Sequence, residues 1–195
     1  MENTLQLDEI DSTSTYARKN LTDLGDLWAV SADYQTKSYG QFERVWYSSK
    51  ELGGNCYISI VAKPENIAHL GELTQYASMQ VIQVLREYGL DAKMKYPNDV
   101  LINGKKIAGI LAESVFVGNN FRGAIVGIGV NLNLSEDEIQ NIDIPATSIF
   151  IETHCNVNKT EFMTKLLETF RGNYEEFIEK GIDENLKGEI LCQEM

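Results

Sequence analysis

KMKYPNDVLINGKKIAGILAE, residues 93–113, joins the signals of a β-hairpin to a dense set of charged and amide side chains. Val100, Leu101 and Ile102 form a β-prone apolar run, and Asn103-Gly104 is the dipeptide that favours a type I′ hairpin turn. Beyond the turn, Ile107, Ile110 and Leu111 alternate loosely with small residues around Gly109. The piece therefore reads as two antiparallel strands with Lys95 and Lys106 on opposite arms. Asn98-Asp99 follows a proline that fixes the local backbone. Two ammonium groups, an amide and a carboxylate in one hairpin suit an anionic ligand such as a phosphate. The competing reading is a solvated hairpin with ordinary surface lysines, because charged side chains usually sit in water.

The 195 residues suffice for one substantial domain, read as 1–195. An apolar content of 43% and a charged content of 24% are ordinary for a globular chain. No segment approaches the apolar run of a membrane helix, and residues 1–20 lack a basic start followed by an apolar core. The expectation is a cytoplasmic protein. Three isolated cysteines, Cys56, Cys155 and Cys192, make neither a disulfide framework nor a zinc spacing. The two histidines, His69 and His154, are far apart, so no metal site is expected. A net charge of −12 argues against general nucleic-acid binding, where lysines and arginines neutralise phosphates. It leaves room for one nucleotide at the lysines of 93–106.

Toward the N-terminus, Leu5, Leu7 and Ile10 predict a short strand, and Asp11-Ser12-Thr13-Ser14 supplies helix N-cap residues before Tyr16. Residues 28–34 and 56–61 predict two more strands, the second strongly β-branched. Apolar residues at helical spacing predict a helix over 66–88, ended by Gly89. Toward the C-terminus, a turn at 118–120 precedes a nearly continuous apolar run at 124–130, expected as a central strand buried on both faces. Phe162, Leu166, Leu167, Phe170, Tyr174 and Phe177 make one side of an amphipathic helix over 160–178. The sum is an α+β domain, a mixed and largely antiparallel sheet packed against helices.

Lys95-Tyr96-Pro97-Asn98-Asp99, then Lys106-Ile107-Ala108-Gly109-Ile110-Leu111-Ala112-Glu113, closely resembles the hallmark of biotin–protein ligases, K-[WY]-P-N-D followed by K-[LIV]-[AC]-G-[IL]-L-x-E. Further blocks fall in the same order. Asp11-Ser12-Thr13 resembles D-S-T-N, with Ser14 where asparagine is usual. Residues 32–36, the Asn55-Cys56-Tyr57-Ile58-Ser59 strand, residues 127–133 and Ala146-Thr147-Ser148 resemble the remaining blocks.

The resemblance implies a core like that of class II aminoacyl-tRNA synthetases and a two-step reaction. Biotin and Mg²⁺-ATP give biotinyl-5′-adenylate, and a lysine of a biotin carboxyl carrier protein then takes the biotinyl group. It implies catalytic roles for Lys95, Asp99, Lys106 and Arg44. Biotin would be held by Ser12, Thr13, Gln35, Tyr39, Gly40 and Lys106. ATP and the adenylate would be held by Gln41, Arg44, Trp46, Asn98 and Asn131. Lys106 matches the lysine that contacts carboxylate and phosphate, and Asp99 the aspartate that meets the acceptor lysine. A homodimer is an open possibility in such proteins. The N-terminal winged helix-turn-helix of some relatives is not expected, nor DNA binding, and their small C-terminal β-domain looks absent.

One block departs. The adenylate loop G-R-G-R-x-G-R-x-W is represented by residues 38–46, SYGQFERVW, with Tyr39 and Gln41 at two of three arginines, Glu43 at a glycine, and Arg44 retained. A hydrogen bond to a charged group contributes about 1.5–3 kcal/mol, so the expectation is a slower or leakier ligase. Two other readings compete: a degenerate ligase-fold module that binds biotin or carrier without catalysis, and a lipoate or octanoate transferase. The retained charged set argues against the first, and Cys56, placed mid-strand as a small core residue, against the second.

Overall fold

In a computed structural model of the chain, residues 3–182 and 190–191 are described; Cys192 and the side chain of Glu43 lie outside them. The elements follow in order as β1 (Thr4–Ile10), α1 (Thr13–Lys19), β2 (Ala29–Gln35), β3 (Asn55–Ala62), α2 (Leu73–Glu87), β4 (Lys93–Lys95), β5 (Asp99–Ile102), β6 (Lys105–Val117), β7 (Asn120–Asn131), α3 (Glu136–Ile139), α4 (Ile149–Thr153), α5 (Lys159–Lys180) and β8 (Ile190–Leu191). Among the described residues they form one eight-stranded sheet, ordered β1-β2-β3-β7-β6-β5-β4-β8. The outer pairs β1/β2 and β4/β8 are parallel and the rest antiparallel, the mixed, largely antiparallel α+β architecture expected.

The Asn103-Gly104 turn forms as its residues dictate, with φ of 49° and 79° at the two positions. Residues 93–113 nevertheless hold three strands, not two. Lys95 ends β4, pairs with Asp99 across the turn at 96–98, and so does not lie on an arm of the β5–β6 hairpin.

α2 also starts later than periodicity predicts. The Asn66 side chain accepts from the Ala68 amide at 3.0 Å and donates to the Ile178 carbonyl at 3.1 Å. Such local side-chain bonds compete with helical ones, and a 3-10 turn over Leu70–Glu72 leads into the helix. At its other end Gly89, with φ of 77°, allows the Leu90 amide to reach Leu85 O and its own amide to reach Arg86 O.

The two sheet faces are treated differently. On one, α2 and α5 bury a continuous core with Cys56, Ile58 and Ile60 of β3 and Val126, Ile128 and Val130 of β7. Tyr76 joins the two helices, stacked on Phe177 at 4.2 Å and edge-on to Phe170 at 5.0 Å. On the other face, α1 and its C-terminal extension cover Val30, Val61 and Ile125 with Ala17, Leu21 and Leu24. β7 is thus buried on both faces only up to Val126. At Gly127 and Gly129 the strand presents no side chain of its own on its second face, because the alternate positions that point there are glycines.

Candidate functional site

This glycine patch is the floor of a cleft of about 480 Å³, lined from β2, β3, β5, β6, β7, α1, the loop after β2 and residues 141–146. That volume lies within the usual range for small-molecule sites. Three glycines define the floor. A methyl group at Gly129 would stand 2.8 Å from the Trp46 indole and one at Gly109 2.7 Å from it, while one at Gly127 would stand 2.6 Å from Ser14 Oγ. The indole of Trp46 lies in the trough so formed, and its Nε1, buried, has no hydrogen-bond partner.

Asp99 and Lys106 meet in the middle of the cleft, with Lys106 Nζ 2.6 Å from Asp99 Oδ1 and both side chains mostly buried. The β5/β6 register slips by one residue between Val100 and Leu101, so Ile107 has no partner of its own on β5. Ile107 and Ala108 consequently both enter the helix-covered core, each fully buried, and Lys106 turns to the cleft face. On its other side Lys106 is held by backbone bonds to the loop at 145–147: its amide to Pro145 O and its carbonyl from the Thr147 amide. Its ammonium also lies 5.2 Å from the Trp46 ring centroid, a cation–π distance.

One end of the cleft is rich in small donors and acceptors. Ser12 caps α1, which fixes Thr13 and Ser14 at the start of the helix. Gln35 Oε1 accepts from the Thr13 amide at 2.7 Å and its hydroxyl at 3.1 Å. The Ser59 hydroxyl lies 2.8 Å from Thr13 Oγ1 and 2.9 Å from Ser14 Oγ. At the other end Asn131 accepts from Asn55 Nδ2 at 3.0 Å and donates to Thr147 O at 2.9 Å, so it is fixed from both sides.

The loop at 38–46 roofs the cleft. Its stem is closed by the Gly40 amide to Arg44 O and the Trp46 amide to Ser38 O, at 2.8 and 3.3 Å. At the tip Phe42 has a φ of 56°, and both it and Val45 point into solvent. Arg44 is exposed at the rim, its guanidinium 6.0 Å from the Phe42 ring centroid. The segment that follows is tied to α3 through Ser49, whose hydroxyl donates to Glu138 at 2.5 Å. Burial raises the Glu138 carboxyl, but the Ser135 amide and the Ser49 and Ser135 hydroxyls outweigh it and hold it below the ordinary carboxylate value.

Of the residues singled out from sequence, Ser12, Thr13, Gln35, Tyr39, Gly40, Gln41, Arg44, Trp46, Asn98, Asp99, Lys106 and Asn131 all line this cleft. Lys95 does not. Sequence reasoning quoted the strand of Asn55 and Ser59 and the glycines of β7 as blocks of resemblance, but gave no site role to Ser59 and Asn55, which support Thr13 and Asn131 from β3, or to the glycine floor. The alternation Gly127-Ile128-Gly129-Val130 carries that last signal, since period two places both glycines on one face.

Fold and site together define an α+β domain whose cleft offers hydrogen-bonding groups for a small polar ring at one end, a lysine–aspartate pair in the middle and an aromatic trough beyond. The chain belongs to the biotin/lipoate A/B protein ligase family, whose model matches residues 7–131. It is 32% identical over 158 residues to the bifunctional ligase/repressor BirA of Bacillus subtilis, covering 78% of this chain and 47% of that protein. It is 33% identical over 167 residues to a biotin–[acetyl-CoA-carboxylase] ligase of Paracoccus denitrificans, covering 82% of this chain and 68% of that one. Among solved structures, biotin protein ligase from Aquifex aeolicus in complex with biotin and ATP superposes with a TM-score of 0.81 at 29% identity, covering 98% of this chain and 79% of that one. The chain spans about half the length of the first curated relatives it matches.

Proposed function

We propose that this domain is an ATP-dependent biotin–protein ligase, forming biotinyl-5′-adenylate and passing the biotinyl group to a lysine of a biotin carboxyl carrier protein. The observation that carries the reading is the Lys106–Asp99 pair, set between a donor- and acceptor-rich pocket and an aromatic trough. Biotin's ureido ring needs both donors and acceptors, which Ser12, Thr13 and Gln35 supply; its carboxylate then lies toward Lys106. The adenylate's purine would lie against the Trp46 indole, which itself rests on Gly109 and Gly129.

In the first step a biotin carboxylate oxygen bonds to the α-phosphorus of ATP, and the bond to pyrophosphate breaks. Two anions meet, so positive charge fixed in advance around them lowers the barrier; Lys106 supplies it, and Arg44 at the rim adds to it. In the second step the acceptor amine, having lost a proton, attacks the acyl carbon and AMP leaves. Asp99 is placed to orient or deprotonate that amine. Among the described residues no three His, Cys, Asp or Glu side chains converge on one point, so a magnesium ion is expected to be held mainly by the nucleotide phosphates.

The test is to incubate the protein with Mg²⁺-ATP, biotin and a carrier domain, and to follow intact mass. One biotinyl group on the carrier's target lysine supports the reading. Biotin binding without transfer would instead favour a non-catalytic module, and transfer of lipoate in place of biotin a different acyl ligase. We also propose that the protein forms a homodimer, tested by sedimentation with and without biotin.

A further inference from the structure

Glu113 stands on β6 opposite Ile125, on the cleft face of the sheet, and its two carboxylate oxygens serve two other elements. Oε1 pairs with Arg18 Nη2 of α1 at 2.6 Å. Oε2 accepts a hydrogen bond from the Tyr39 hydroxyl at 3.0 Å. Tyr39 opens the roof loop and bridges by its backbone to Val45 on the returning arm, so where Tyr39 sits sets where the loop sits. One carboxylate therefore joins roof, floor strand and the helix that presents Ser12 and Thr13. Burial raises the Tyr39 hydroxyl above its ordinary value, with the Glu113 carboxylate adding to the effect, so it stays a protonated donor through neutral pH.

We infer that Glu113, steadied by Arg18, is a positioning residue that clamps Tyr39 and the loop at 38–46 over the cleft, and so governs how long a ligand stays bound. The inference rests on the reading of the cleft as a site for biotin and its adenylate. Tyr39 brings no charge to an anionic ligand. Its contribution is the tether, which closes the roof by a neutral donor where the loop carries Arg44 as its one arginine. A neutral hydroxyl suits this role because Arg18 already compensates the carboxylate.

The experiment preloads the protein with labelled biotin and Mg²⁺-ATP, then follows release during a chase with unlabelled biotin. Tyr39→Phe and Glu113→Ala are each expected to speed release about tenfold, and the double variant to be no faster than the faster single one, since both remove the same link. Glu113→Gln, which keeps an acceptor for the hydroxyl, is expected to recover much of the retention. Release within about twofold of wild type in both single variants, or effects that multiply in the double variant, would overturn the clamp. So would a lowered unfolding temperature with unchanged release, the mark of a merely structural ion pair. Failure of the wild-type protein to bind labelled biotin at all would overturn the reading of the cleft itself, and the clamp with it.

Discussion

Lys106 and Asp99 touch at 2.6 Å although the strand register sets neither opposite the other: Asp99 faces Gly109 and Lys106 faces Leu101. The one-residue slip at Ile107 brings them to the same face. Without it, period two would send Lys106 into the core beneath α2.

Removing that ammonium is expected to be costly to chemistry. Loss of a single preorganised group at a developing charge typically costs about 10²–10³ in rate, so Lys106→Ala should slow adenylate formation by that order. Lys95→Ala, outside the cleft, should cost far less. Single-turnover release of pyrophosphate measures both, and an equal loss in the two variants would contradict the site described here.

The glycine floor makes a second prediction. An alanine methyl at Gly129 meets the Trp46 ring at 2.8 Å, so the indole must leave the trough. Gly129→Ala is expected to destabilise the fold by about 1–3 kcal/mol and to weaken nucleotide binding more than biotin binding. Urea unfolding and calorimetry with each ligand check the two parts.

Gln41 lines the roof of the cleft. Gln41→Arg adds a charged hydrogen bond of about 1.5–3 kcal/mol, equivalent to roughly ten- to a hundredfold longer retention of the adenylate. An unchanged half-life of bound adenylate would sink the idea that this loop is leaky.

Glu138 links pH to stability. Its carboxyl is held below the ordinary value in the folded chain, so the unfolded state binds its proton first on acidification. Its contribution is present above the unfolded carboxylate pKa and is lost as pH falls through the depressed folded one. Glu138→Gln should therefore be less stable than wild type near neutrality, with the difference shrinking toward acid. Denaturant midpoints measured from neutral to acid pH would show that convergence, and a constant gap would refute it.

Phe170 of α5 is fully buried and packs edge-on against Tyr76 of α2. Phe170→Ala should cost about 3–5 kcal/mol by cavity formation, read as a lowered urea midpoint.

Much of this was legible in the chain. Asn103-Gly104 specifies its hairpin by residue type alone, because both positions need positive φ. The helix at 160–178 follows from apolar spacing, and α5 extends it by a residue or two at each end. The start of α2 was not legible, since the bond from Asn66 to the Ile178 carbonyl depends on where α5 ends. The place of Lys95, on β4 and not on the β5–β6 hairpin, is hidden for a similar reason. Local pattern cannot separate β4 from β5 when only the turn at 96–98 divides them.

What the sequence determined by itself was local: turn chemistry, helical and strand periods, and an ordered set of residue blocks that marks the family. What the tertiary structure decided was which of those residues meet. Trp46, Asp99, Lys106 and Gly129 come from a loop and three strands, and they share a cleft only because the sheet sets those strands side by side. The strand slip at Ile107 turns Lys106 toward Asp99, and it forms because Ile107 gains burial in the core. Burial is a property of the assembled sheet and helices, so no local reading of residues 105–109 could fix the direction of that side chain.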